Sequence, residues 1–121
     1  MKRHKRHGGI ATAASVLVGA ILLERAFAEP LTLDEYRHPK TNTDMVSNKA
    51  YLMGARDALV AANTLADQKL FCMPGDVGLS SFDQVDAAMT SWARKNAPGP
   101  SGYSVASALL HAIQQRFPCG R

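Results

Sequence analysis

An all-α domain, built as a small bundle of three main helices stapled by one disulfide and preceded by a cleavable signal peptide, is what this 121-residue sequence predicts. Three observations predict it. The basic start runs into a short apolar stretch; three later segments carry apolar residues three or four apart, separated by Pro/Gly-rich breaks; and the chain holds two cysteines, Cys72 and Cys119. No strand-like alternation, internal repeat or low-complexity tract interrupts the pattern.

The opening MKRHKRHGG carries Lys2, Arg3, Lys5 and Arg6 without an acid and leads into the apolar stretch Ile10 to Leu23. A positive start and a short apolar run are the first two regions of a secretory signal. The run has 14 residues and is closed by Glu24 and Arg25, whereas a membrane-spanning helix needs about 20. Ala26-Phe27-Ala28 supplies the small-x-small pattern of a peptidase site, which places cleavage between Ala28 and Glu29 and makes 1–28 a signal peptide. The mature chain is then periplasmic, without stable membrane insertion; retention of the apolar run as an anchor is the alternative.

Export also changes the electrostatics. The whole chain is +4, but the signal takes five of 14 Lys+Arg and one of 10 acidic residues, leaving nine of each. The pI of 9.3 therefore describes the export signal and argues against a nucleic-acid partner. The remaining 93 residues form one domain small enough that core burial alone leaves stability marginal. In an exported chain, two cysteines most simply make one disulfide. Closing a loop of 47 residues is worth about 4 kcal/mol in the chain-entropy treatment.

Residues 29–43, EPLTLDEYRHPKTNT, contain two prolines and no sustained periodicity, which predicts an extended N-terminal arm. Residues 44–121 form the helical domain. Asp44 is placed as the N-cap of a long first helix, with Val46, Lys49, Ala50, Met53, Asp57, Val60 and Thr64 sharing one face. Gly54 within it costs about 1 kcal/mol relative to alanine, and its small size suits close approach of another helix. Pro74, Gly75 and Gly78 predict a turn after Cys72. Ser81 and Gln84 then make a capping box for the second helix, whose stripe is Phe82, Val85, Met89 and Trp92. NAPGPSG breaks that helix, and the third follows with Val105 or Ala106, Leu109, Ile113 and Phe117 on one face, ended by Pro118.

The residues offer little chemistry. A zinc set from Cys72, Cys119, His38 and His111 lacks both a CxxC pair and paired histidines. A catalytic Cys–His pair is disfavoured because an exported thiol with a partner is oxidised. Ser80, Ser81, Ser101 and Ser104 adjoin helix starts and read as caps, without a G-x-S-x-G elbow. Asp83 and Asp86 read as a solvated first turn, Trp92 as core, and Gly75 with Gly78 lack the Gly-Lys-Ser/Thr of a phosphate loop. No catalytic residue, cofactor or metal is assigned, and the pattern points to binding rather than catalysis.

Taken together, Tyr51-Leu52-x-Gly54-x-x-Asp57-Ala58, Phe71-Cys72-x-Pro74 and Ala108-Leu109 leading to Phe117-Pro118-Cys119 resemble the type VI amidase immunity (Tai) family. The resemblance covers about Val46 to Cys119; the connector NAPGPSG departs from it in its proline and glycine content. It implies a small exported helical protein that binds a peptidoglycan-cleaving amidase effector of a type VI secretion system and blocks it in the periplasm. Two other classes stay open: a small periplasmic stress chaperone, and a structural subunit of an envelope assembly. A homodimer is compatible with each. An amidase gene next door would favour immunity, and secretion or conjugation genes the subunit.

Overall fold

The structure is a computed structural model that describes residues 30–75 and 78–120. The expected signal peptide 1–28 and its expected cleavage point between Ala28 and Glu29 lie outside the described residues. Among the described residues four helices follow in order: α1 (Leu33–Arg37), α2 (Asn42–Leu65), α3 (Phe82–Asn96) and α4 (Val105–Arg116). Among the described residues there is no strand, only an isolated antiparallel bridge between Thr32 and Ser104. α3 and α4 pack most extensively on each other, α2 packs across both, and α1 rests on α4. The core draws Leu33 from α1, Leu52 from α2, Val85, Met89 and Ala93 from α3, and Val105, Ala108, Leu109 and Ile113 from α4. Phe71, Leu79 and Phe117 close it from the loops.

α3 and α4 follow the expected stripes. Ser81 accepts from the Gln84 amide while the Gln84 side chain returns to the Ser81 amide, the predicted capping box. Ser104 caps α4 by accepting from the Ser107 amide. Asp83 lies in the first turn of α3 and Arg94 and Lys95 in its last, as the helix dipole favours.

The expected arm within 29–43 is instead largely ordered by α1. Thr32 and Glu35 form a capping box, and the helix starts of α1 and α4 satisfy each other's free donors. The Leu33 amide donates to Tyr103 O at 2.8 Å, and the Val105 amide donates to Leu31 O at 2.9 Å. A five-residue helix has no stability of its own, so this one exists because α4 completes it. The Thr32 amide and hydroxyl, donating at 2.9 and 3.0 Å, hold the Glu35 carboxyl below its ordinary value of 4.5. Because the folded value is lowered, the stabilisation is present above 4.5 and is lost as pH falls through the lowered value. Hydrogen exchange at the Thr32 amide is expected to accelerate in that acid window before the core amides do; equal acceleration throughout would contradict a local origin.

α2 differs from expectation in start and in phase. Its N-cap is Thr41, and Asp44 sits three residues on, accepting from the Thr41 amide at 3.1 Å. The face predicted to be buried is mostly solvated: Val46 is 69% exposed, and Lys49, Ala50, Asp57 and Thr64 are exposed. The inward face runs Asn48, Leu52, Arg56 with Ala55, Leu59 and Asn63. Its polar members hold other segments: Asn48 Nδ2 donates to Glu35 O at 3.3 Å, Arg56 Nη1 to Leu79 O at 2.9 Å, and Asn63 Nδ2 to Phe71 O at 2.8 Å. A hydrophobic stripe cannot reveal a face that does this. With no base in its last turn, α2 is closed by Lys69, whose Nζ donates to the carbonyls of Asn63 and Thr64.

Gly54 lies on the outer face, and a Cβ built there meets nothing within 4 Å. Among the described residues, the expected close approach of another helix is absent. Gly54→Ala should therefore stabilise the protein by about 0.5–1 kcal/mol through the unfolded chain and helix propensity. A denaturation midpoint shifted upward at constant slope checks this, and a downward shift would reveal a hidden constraint at the site.

Candidate functional site

One end of the bundle is organised by the crosslink. Cys72 and Cys119 are bonded, with Cα atoms 4.7 Å apart, tying the α2–α3 loop to the chain after α4. The Cys72 amide donates to Phe117 O at 2.9 Å, so backbone and sulfur bridges join the same two segments. Phe71 and Phe117, one on each segment, are 2% and 9% exposed and belong to the core. Asn63 braces this loop from α2: its Oδ1 accepts from the Leu70 and Phe71 amides at 2.7 and 3.3 Å. Pro74 and Pro118 stand outside it, exposed.

A second cluster forms where α3, α4 and their connector meet. Trp92 of α3 lies against the core with its ring stacked on His111 of α4, centroids 5.3 Å apart and planes 13° from parallel. Tyr103, from the connector, sits 5.5 Å from Trp92 and 6.2 Å from His111. Trp92 was expected in the core stripe; it is half-buried at the edge, because the stripe turns outward by the third turn and Ala93 takes the inner position at 1% exposure. Beside this cluster, a groove of about 300 Å³ runs between α3 and α4, lined by Ser91, Trp92, Lys95, Ala112, Gln115 and Arg116 among others. Arg116 is held in place by the Phe117 ring, 5.5 Å away, and by Gly78, where a Cβ would come within 3.0 Å of its Nη2. Gly78 has φ +87°, so both its backbone and its neighbour favour glycine.

The proline-rich connector is also fixed. Arg37 of α1 donates to Gly99 O at 3.0 Å and to Ala97 O at 3.1 Å, and Gly99 adopts φ +76°. Nearby, the Tyr36 hydroxyl donates to Asp86 Oδ1 at 2.5 Å, so Asp86 anchors α1 to α3 rather than pairing with Asp83 as a solvated turn. Burial, then the bond to Asp86, raises the Tyr36 hydroxyl far above its ordinary value and keeps it a donor.

The other sequence candidates do not converge. Leu52, Phe71 and Phe117 are core; Tyr51, Gly54, Asp57, Pro74 and Pro118 are exposed and spread over different segments. Asp57 lies 2.7 Å from Arg56 Nε, a charge contact without hydrogen-bond alignment. His38 faces Asp34 at 3.4 Å in solvent, far in role from His111 on its tryptophan. The cysteines are bonded to each other, so neither is a thiolate ligand, and no cluster of three or more His, Cys, Asp or Glu suited to a metal occurs among the described residues. A larger groove of about 540 Å³ includes Asp34, Glu35, His38, Lys40, Asp44 and Tyr51 in its lining, but Glu35 and Asp44 are engaged in the capping boxes of α1 and α2. The aromatic cluster escaped sequence reasoning because its members come from positions 92, 103 and 111, brought together only by the connector.

None of the described helices is long and apolar enough to cross a membrane. No curated protein and no solved structure gives a significant match to the chain. The family model of the Rap1a immunity proteins matches residues 19–119, which takes in all four helices, both cysteines and the aromatic cluster. With a match of that extent, this helical, disulfide-bonded chain belongs to the Rap1a immunity protein family.

Proposed function

We propose that the protein is exported, loses residues 1–28, and acts in the periplasm by binding and blocking a peptidoglycan amidase delivered by a type VI secretion system. The observation that carries this reading is the immunity-family match over residues 19–119. The order of Tyr51-Leu52-x-Gly54, Phe71-Cys72-x-Pro74 and Phe117-Pro118-Cys119 narrows it toward amidase immunity. The architecture suits the task physically. A domain crosslinked at one end and pinned at the connector by Arg37 presents its surface with little ordering cost on binding. Inhibition needs only that surface; the protein itself catalyses nothing.

The test is inhibition of a cognate amidase, encoded beside this protein, by the purified periplasmic form. Cleavage of peptidoglycan is expected to fall in proportion to added protein and to end near a one-to-one ratio, with no hydrolysis by the protein alone. Absence of binding to the neighbouring amidase, together with suppression of aggregation on acidification, would replace this reading by a chaperone. Intact mass of the periplasmic protein is expected to correspond to a chain starting at Glu29. A membrane-bound product retaining its N-terminus would overturn the export reading.

A further inference from the structure

Resting on the reading of the protein as an inhibitor of a secreted effector, we propose that the α3–α4 groove beside Trp92 is the docking surface, and that its occupant is an acidic segment of that effector. The argument begins with charge. Among the described residues the groove is lined by two cations, Lys95 and Arg116, together with neutral Ser91 and Gln115 and no carboxylate. Neither cation has a described carboxylate within ion-pairing distance. The larger groove beside α1 mixes acids with Lys40 and His38, and two of its acids already serve helix caps. On the proposed mature chain, whose charge balances, a groove that presents two cations and no described carboxylate is a local choice and selects an anionic partner.

Composition and rigidity agree with the charge. Binding energy concentrates in tryptophan, tyrosine and arginine seated in a well-packed setting. Here Trp92 belongs to both the groove and the aromatic cluster, Tyr103 stands beside it at 36% exposure, and Arg116 is pre-positioned over Phe117. Trp92 is set against the core and backed by His111, so the surface is formed before the partner arrives. The effector segment would lay carboxylates between Lys95 and Arg116 and apolar groups on the aromatic edge.

The experiment measures association and dissociation of the periplasmic protein with its cognate amidase at several salt concentrations. Lys95 and Gln115 are exposed, so Lys95→Glu/Gln115→Glu alters the groove without touching the core. That double variant is expected to slow association about tenfold and to flatten its salt dependence while still folding, its melting temperature lowered only modestly by the acids placed in the last turns of α3 and α4. Lys49→Glu, which reverses a charge on α2 over the Phe82 ring at the start of α3, is expected to leave association within about twofold of wild type. Tyr103→Ala, which leaves its backbone bond to Leu33 possible, is expected to speed dissociation about tenfold. Wild-type binding with an unaffected groove double variant would overturn the docking surface while leaving the inhibitor reading intact. Failure of the wild type to bind would overturn that reading, and this inference with it.

Discussion

Phe71→Ala lowers stability by about 3–5 kcal/mol, the range for removing a buried aromatic ring. The ring is 2% exposed in the core, where it stands over the end of the bundle that the crosslink closes. The upper part of the range is expected because the surroundings cannot collapse. Asn63 grips the backbone of Leu70 and Phe71 with three hydrogen bonds, and the next residue is covalently tied to Cys119. Set against a total of about 5–15 kcal/mol for a domain of this kind, that loss removes a large share of the stability. Urea denaturation should show a lower midpoint at unchanged slope. A loss below about 1 kcal/mol would mean that the loop relaxes into the vacated space, contrary to the bracing described.

Cys72→Ser or Cys119→Ser lowers stability by about 2–5 kcal/mol, centred near the roughly 4 kcal/mol that closing a 47-residue loop removes from the unfolded chain's entropy. Cys72 is exposed and Cys119 only half-buried, so neither substitution opens a core cavity, and the cost lies mainly in the unfolded state. Wild-type protein treated with reductant should therefore melt where the serine variants do. Thiol titration of the unfolded, unreduced protein should find no free cysteine. Two reactive thiols, or a Cys119→Ser variant as stable as wild type, would refute the structural role. Because Phe71 and Cys72 are adjacent in the loop that Asn63 braces at Leu70 and Phe71, the two losses should not add in a double variant.

The all-α class, the crosslinked pair and the two later helices were legible in the residues because each rests on a short-range rule. Ser81 with Gln84 specifies a helix start; Val85, Met89, Leu109 and Ile113 repeat with the helical period; and two cysteines in a chain read as exported have one another as partners. Of the resemblance residues, Leu52, Phe71 and Phe117 serve as core, while Tyr51, Gly54, Asp57, Pro74 and Pro118 are exposed. Tertiary structure alone decided α1, since a five-residue helix has no period to read and borrows its hydrogen bonds from α4. It decided which face of α2 turns inward, because Asn48, Arg56 and Asn63 are polar in sequence yet serve as donors to buried or distant carbonyls. It also gathered Trp92, Tyr103 and His111 beside Lys95 and Arg116, for hydrophobic pattern fixes how each helix buries its own stripe but not which surface residues two helices bring together at their seam.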